Sequence, residues 1–304
     1  MRVIVLGGGT SPERDVSIRS AKSVSEALRE AGYEVITIDP KDGWEQLDSI
    51  ASDDIVFPIL HGAEGEDGTV QSLLESKNLK YLGSDSISSR LCFDKGLTLK
   101  ALKAADIAVA DGQSDITYDM YKTHRLNRVP HVIKVQRGGS SIGTYLVRDP
   151  SIADQNKIRE VFSLDSVAVI EELVEGIEIT VPILGNVALP VIEIIPPENA
   201  EFDYENKYNG KSQELCPAKS IDEALQKKAQ QVALKVHKVL GCRHLSRIDI
   251  IVRKNSEIIV LEANTIPGMT NQSLYPLSAK VYGLSMSQLM VTFMNMIQHK
   301  NEEI

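Results

Sequence analysis

Asp249 lies inside an apolar run, Ile248-Asp249-Ile250-Ile251-Val252, and Glu262 closes another, Ile258-Ile259-Val260-Leu261-Glu262, which continues into Ala263-Asn264. A carboxylate within an apolar strand is costly to bury unless a cation or hydrogen-bond donors meet it. Alternation along an extended chain puts Glu262 and Asn264 on one face, and points Arg247 the same way as Asp249. Asp249, Glu262 and Asn264 offer only oxygen, with no Cys or His beside them. Hard donors of this kind suit Mg²⁺ or Mn²⁺ shared with substrate phosphates. Arg247 would then face developing negative charge. A purely structural ion pair between Arg247 and Asp249 is the alternative, and it needs no metal.

A second set surrounds a glycine-rich loop. Lys134 precedes Arg137-Gly138-Gly139-Ser140-Ser141-Ile142-Gly143, and Lys95 stands on the preceding helix. Such a loop between two antiparallel strands can close over phosphates with its backbone N–H groups while lysines supply charge. Two solvated lysines beside a loop are the plainer alternative. Gly7-Gly8-Gly9 also follows a strand, but the dinucleotide fingerprint needs Gly or Ala where Pro12 stands, and Gly-Lys-Ser/Thr is absent. The sharper feature there is Glu13, near a helix N-terminus at the carboxyl end of a parallel strand, the edge where α/β sheets bind ligands. His61 and the acidic turn that follows it, through Gly68, fall on that same edge. With no second histidine at ligand spacing, a turn that caps the next helix explains this segment as well as a ligand role does.

The elements that must position these groups read as α/β. At roughly 150 residues per domain, 304 residues make two domains or three small ones. Strands at 3–6, 34–38 and 55–60 enclose a helix whose Ala21, Val24, Ala27, Leu28 and Ala31 keep helical spacing, with Gly32 at its left-handed cap. That βαβ order predicts a parallel sheet and a domain over 1–84. A central domain over 85–174 carries the hairpin of 131–135 and 144–147 around the glycine-rich loop. A third domain over 175–304 has strands at 177–184, 187–194, 248–253 and 257–262 and helices near 222–240 and 284–298. Residues 199–218 are long, polar and aromatic-bearing, and predict a loop that is mobile alone and ordered over the site with ligand.

Composition narrows the class. A net charge of −9 opposes nucleic-acid binding, and no apolar run approaches the ~18 residues of a membrane span. Three dispersed cysteines without a CxxC pair fit a reduced cytoplasm.

Taken in order, GGGTSPERDVS, HGAEGEDGTVQ, GSDSISSRLCFDK, IKVQRGGSSIG, VIEELVEGIEITV, FDYENKYNGKSQELCPA, SRIDI and LEANTIPGMTNQSLYP cover essentially the whole chain. They resemble the D-alanine–D-alanine ligases, a family of ATP-grasp enzymes. The resemblance implies a three-domain ATP-grasp fold with an N-terminal parallel-sheet (pre-ATP-grasp) domain, and ATP held between the second and third domains. It implies Lys95 and Lys134 as ligands of the α- and β-phosphates, with Ser140 and Ser141 in the loop over them. Glu171 and Val174 match the hinge that reads adenine, with Glu172 beside them in the nucleotide site, Glu178 the ribose carboxylate, and Lys207 the lysine that reaches the γ-phosphate. Asp249, Glu262 and Asn264 match the site for two Mg²⁺ or Mn²⁺ ions.

For the amino-acid substrates, Glu13 resembles the residue that holds the first D-alanine ammonium, with His61 nearby. Ser140 and Tyr208 match the hydrogen-bonded partners of Glu13. Arg247 and the Gly268 N–H match the oxyanion site, and Ser273 with Leu274 the site for the second D-alanine carboxylate. The implied activity joins two D-alanines through a D-alanyl phosphate, for peptidoglycan precursors, in a cytoplasmic homodimer with neither nucleic acid nor membrane as partner. Two positions depart from the commoner pattern: Val135-Gln136 after Lys134, where proline and glutamate are frequent, and Glu172, where lysine is common. A D-alanine–D-lactate ligase would share nearly all of these residues, but Tyr208 after Lys207 favours the dipeptide. A nucleotide-binding protein with a dead ligase fold would be expected to lose Asp249, Glu262, Arg247 or Lys207, and all four are present.

Overall fold

The computed structural model describes residues 1–139, 142–196 and 212–298. Val3–Leu6 (β1), Arg14–Glu30 (α1), Val35–Ile38 (β2), Ile55–Pro58 (β3), Thr69–Ser76 (α2) and Lys80–Tyr81 (β4) build a parallel sheet of order β2-β1-β3-β4. Alternation splits β1 between two layers. Val3 and Val5 pack under α1 with Val24 and Leu28, while Ile4 and Leu6 meet Val70 and Leu74 of α2. Gly32, at φ +89°, ends α1 in the left-handed region that only glycine adopts without strain. All strand carboxyl ends of this sheet leave on one edge, so the loops holding Glu13 and His61 emerge side by side.

Two capped helices follow. Asp85 accepts from Ser88 N at the start of Ser86–Phe93 (α3), and Asp94 from Leu97 N at the start of Lys95–Ala104 (α4). Gly112–Ile116 (β5), Tyr118–Thr123 (α5), His131–Val135 (β6), Thr144–Val147 (β7), Gln155–Leu164 (α6) and Ala168–Glu172 (β8) come next. They give an antiparallel sheet of order β5-β8-β6-β7. The expected hairpin forms, with Lys134 opposite Thr144 at its loop end.

The third sheet runs β12-β11-β9-β13-β14, with β10 on β9, from Ile177–Leu184 (β9), Val187–Ala188 (β10), Ile192–Ile195 (β11), Gln213–Leu215 (β12), Leu245–Val252 (β13) and Ile258–Asn264 (β14). Glu223–Val239 (α7) covers its apolar face through Ala229, Ala233 and Val236. Leu274–Tyr282 (α8) and Met286–Gln298 (α9) complete the described chain.

Three expectations change here. The strand expected over 187–194 breaks at Leu189-Pro190-Val191, because Pro190 has no N–H to donate to a ladder. The polar loop expected over 199–218 gives up its end to β12, which pairs Glu193↔Leu215 and Ile195↔Gln213; residues 199–211 lie outside the described residues. The helix expected near 284–298 forms as α9 but packs on the first sheet, where Leu289, Met290, Phe293 and Met294 join the α1 core. The C-terminus thus fastens the third sheet to the first.

One buried ion pair holds the start of the chain. Asp54 accepts from the Arg2 backbone N (2.8 Å), the Arg2 guanidinium (2.6 Å) and Ala51 N (3.1 Å). Arg2, bonded to it, holds the Asp54 carboxyl down at about 2 despite its burial. A carboxyl held below its unfolded value contributes stability above about pH 4, and loses it as pH falls towards the folded value. Asp54→Asn is therefore expected to lower unfolding stability by roughly 1–3 kcal/mol at pH 7, with the difference shrinking towards pH 2. Urea midpoints of both proteins across that range check this; a difference that does not change with pH would remove the ion pair as its cause.

Candidate active site

Two clefts meet at Glu262, which lines both. The larger, about 580 Å³, opens between the second and third sheets. Ala110, Val174 and Ile251 line its apolar floor, packed on buried Ile259, and this floor can take a flat aromatic ring. Lys95, Lys134, Glu171, Glu172, Glu178 and Asp249 stand around this floor. Lys134 on β6 and Glu171 on β8 come together because Val132 faces Glu171 across the ladder, one pleat repeat away. Lys134 Nζ lies 2.5 Å from Glu171 Oε2. Burial alone would lower the Lys134 ammonium, but the Glu171 and Glu262 charges outweigh it and hold that ammonium above its usual value.

Lys95, the first residue of α4, donates to Gly138 O at the glycine-rich loop. Burial pushes its ammonium below its usual value, and Glu262 only partly offsets this. Buried Lys134 and half-buried Lys95 thus face two carboxylates at the inner end of the cleft, an arrangement able to hold a polyanion once cations balance the carboxylates. Glu172, at the rim, accepts from Arg253 (2.5 Å) and from Asp111 N (3.1 Å). The acidic residue at this departure is accordingly engaged by Arg253, across from the third sheet.

The smaller cleft, about 440 Å³, lies between the carboxyl edge of the first sheet and the third sheet. Glu13 caps α1 and is buried. A Cβ at Gly62 would fall 2.7 Å from Glu13 Oε2, and one at Gly139 would fall 3.0 Å from that oxygen and 3.1 Å from Glu66 Oε2. Glycine at both places lets the His61 loop and the glycine-rich loop close on the Glu13 carboxylate. His61 contacts Ser20 Oγ through Nε2 (3.3 Å), and its Nδ1 lies 4.0 Å from Glu66 Oε1. Ser20 Oγ also accepts from Met269 N (3.3 Å), tying this edge to the segment after β14.

On the opposite wall, register settles which side chains meet. Arg247 pairs with Asn264 and Asp249 with Glu262 across β13 and β14. All four therefore share one face of the sheet. Arg247 donates to both Asp249 oxygens (2.9 and 2.8 Å), Thr180 Oγ1 donates to Oδ1 (2.6 Å), and Asn264 Nδ2 donates to Oδ2 (3.2 Å). The ion pair weighed against a metal site does form. It lies where the two clefts adjoin, with Arg247 lining the smaller and Asp249 the larger, so Arg247 is both partner to Asp249 and lining residue. Beyond Asn264, Gly268 approaches Ser273 closely enough that a Cβ there would fall 2.9 Å from Ser273 Oγ. Ser273 stands just before α8, its hydroxyl accepting from Thr270 N (3.1 Å) rather than from the helix, while Leu274 begins the helix. A helix N-terminus with a hydroxyl beside it suits a carboxylate.

Asp249, Glu262 and Asn264 give two carboxylates and an amide at the junction. Asn264 donates through nitrogen, which leaves its oxygen as the atom that could meet a cation. Among the described residues no cluster of three or more His, Cys, Asp or Glu forms, so a hard cation here would complete its shell with phosphate and water oxygens. Ser140, Ser141, Lys207 and Tyr208 lie outside the described residues. Every other residue singled out from the sequence lines one of the two clefts. Glu66 and Glu214 line the smaller cleft without having been singled out. For Glu66 the signal was present, since it belongs to the same acidic turn as His61.

Known proteins resemble this chain over nearly its whole length. A family model described as the D-ala D-ala ligase N-terminus matches residues 39–84, and one described as the D-ala D-ala ligase C-terminus matches 101–295. The D-alanine–D-alanine ligase of Aquifex aeolicus is 42% identical over 290 residues, covering 95% of this chain and 98% of its own. That of Halalkalibacterium halodurans is 40% identical over 306 residues, 97% and 99% of the two chains. Among solved structures, the Bacillus anthracis D-alanine–D-alanine ligase complexed with ATP superposes at a TM-score of 0.81, with 29% identity, over 99% of this chain and 98% of that one. VanG, a D-Ala:D-Ser ligase from Enterococcus faecalis, superposes at 0.82 with 30% identity, over 97% and 99%. With both halves of the family model matched and full-length relatives at 40% identity and above, the chain belongs to the D-alanine–D-alanine ligase family.

Proposed function

We propose that the protein joins two D-alanine molecules to D-alanyl-D-alanine with cleavage of ATP to ADP and phosphate, through a D-alanyl phosphate, to supply peptidoglycan precursors. One observation carries this reading: the lysine-lined nucleotide cleft and the carboxylate-binding cleft meet at a single residue, Glu262. A phosphoryl group bound in the first cleft is thereby presented to a carboxylate bound in the second. The three working units are 1–84, 85–174 and 175–304.

In this reading the ring of ATP lies on the Val174 floor with Glu171 and Glu172 at its edge, Glu178 holds the ribose, and Lys95 and Lys134 hold the phosphates. Ser140 and Ser141 in the glycine-rich loop, and Lys207, complete the phosphate site. Asp249, Glu262 and Asn264 would hold two Mg²⁺, or Mn²⁺, which when bound neutralise phosphate charge. Glu13, with Ser140 and Tyr208, fixes the first D-alanine through its ammonium, and His61 supports that edge. Ser273 and the Leu274 N–H hold the second substrate's carboxylate. Arg247 and the Gly268 N–H stabilise the oxyanion formed when the second amine attacks the acyl carbon, donors of a kind worth about 3–4 kcal/mol each. Positioning carries the rest, as in other phosphoryl transfers.

No helix among the described residues is long and apolar enough to cross a membrane, and we place the enzyme in the cytoplasm, where its ATP is, as a homodimer joined through the N-terminal unit. The reading is tested by ADP and phosphate release with ATP and Mg²⁺, offering D-alanine alone or with D-serine, D-lactate or L-alanine. D-Alanyl-D-alanine as nearly the sole product supports it. Depsipeptide formed as readily at pH 7 would favour the D-lactate ligase, and no D-alanine-dependent ADP release would overturn both.

A further inference from the structure

Glu214 is the second residue of β12, the short edge strand that pairs with β11 through Ile194↔Glu214. Ile194 in turn pairs with Glu178 of β9, and Glu178 with Ile251 of β13. Directly opposed residues share a face, so Glu214 lies on the same side of the sheet as Arg247, Asp249, Glu262 and Asn264. Its neighbour Glu193 faces the other way, where Ser220 and the Lys219 N–H hold it. Glu214 lines the smaller cleft together with Arg247, Gly268 and Ser273. The strand is held against the start of α8 by Ile192, Ile194 and Cys216 packed on Leu274. Glu214 thus stands beside the helix N-terminus assigned above to the second substrate's carboxylate. Among the described residues no hydrogen bond occupies its carboxylate.

We propose that Glu214 is the base that takes the proton from the second D-alanine's ammonium. The inference rests on the ligase reading and goes beyond it, because that reading needs a free amine and names no group to produce one. One proton passes from the ammonium nitrogen to a Glu214 carboxylate oxygen, which frees the nitrogen lone pair. The nitrogen attacks the acyl carbon of D-alanyl phosphate, a C–N bond forms, and the C–O bond to phosphorus-bound oxygen breaks with its electrons on the departing phosphate. The second N–H proton leaves with that phosphate, and Glu214 returns its own to solvent.

The surroundings suit the role. Burial raises the Glu214 carboxyl above its usual value, and the opposing pull of Arg247 is smaller. A carboxylate raised in this way is a stronger base in its ionised form. Among the described residues the other charged groups of the cleft are Glu262 from β14, Glu13 at the start of α1, Arg19 from α1, and Glu66 and His61 from the turn after β3. Carboxylates outnumber cations among these described groups, which favours an incoming ammonium.

Hydroxylamine separates this role from a structural one. It is a weak base, already unprotonated at neutral pH, and captures an acyl phosphate without help. In Glu214→Gln, D-alanyl hydroxamate formation should stay within about threefold of wild type while dipeptide formation falls about 100-fold, the usual range for a lost general base. Glu214→Asp should recover part of that loss, and the acid limb of kcat/KM for the second D-alanine should disappear in the Gln variant. Equal loss of hydroxamate and dipeptide, or no loss of either, overturns the assignment. A wild type that forms neither product overturns the ligase reading and this inference with it.

Discussion

Glu262→Gln is expected to lower dipeptide formation by at least about 10³-fold, beyond the roughly 10–100-fold that loss of an outer hydrogen-bonding group at a metal site costs. Three consequences converge on this one side chain. Glu262 faces Asp249 across the ladder and lines both clefts. Its charge is the largest influence that opposes the effect of burial on Lys95, and it also supports the ammonium of Lys134. Gln keeps the shape but removes that charge, so the phosphate end loses both an anionic oxygen donor for Mg²⁺ and the partner of its lysines. ATP affinity should fall less than turnover, because the Val174 floor and Glu178 are untouched. Turnover measured against Mg²⁺ concentration is the check. Near-normal turnover at saturating Mg²⁺ would remove Glu262 from the metal site.

Arg247→Ala should have a comparable effect on turnover and a second one on stability. Removing a preorganised oxyanion donor costs about 10²–10³ in rate. Here the loss should reach the upper end, because the same guanidinium also orients Asp249 through two hydrogen bonds. Asp249 is only 7% exposed, so removal of its partner strands a buried charge, at a cost of about 3–5 kcal/mol. Arg247→Lys keeps the charge but not the bidentate fork, and should regain stability without regaining rate. The double mutant Arg247→Ala with Asp249→Asn tests the stability part alone: neutralising the stranded carboxylate should restore most of the unfolding midpoint. The rate is read from Arg247→Lys, which leaves Asp249 in place. If turnover returned there with stability, the arginine would serve the fold alone.

Much of this site is legible in the amino-acid sequence alone. Arg247 with Asp249, and Glu262 with Asn264, are set at two-residue spacing in or beside apolar strands, so a strand's period of two gives each pair one face, and the β13–β14 register then joins the pairs. Glu13 and His61 follow strands of a βαβ unit, and parallel strands send their carboxyl ends to one edge. The hairpin around the glycine-rich loop is equally legible, because its flanking strands are local partners. These features depend on near neighbours in the chain.

Contacts between distant segments are a different matter. Glu214 lies in a polar stretch with no periodicity, and only its pairing with β11 turns it into the cleft. Closure of the glycine-rich loop on Glu13 depends on Gly62 and Gly139, whose need to be glycine arises from a carboxylate distant in the chain from either one. The break at Pro190 is present in the sequence as a missing donor, yet an unbroken apolar pattern conceals it. Helix α9 shows the limit most clearly. Its apolar stripe guarantees burial, but burial is non-directional and names no partner. The tertiary structure sets Phe293 and Met290 against Val24 and Leu28 of α1, in a core that also takes in Leu184 and Leu245 of the third sheet. Short-range covalent geometry thus sets which groups share a face, while long-range packing sets which faces meet.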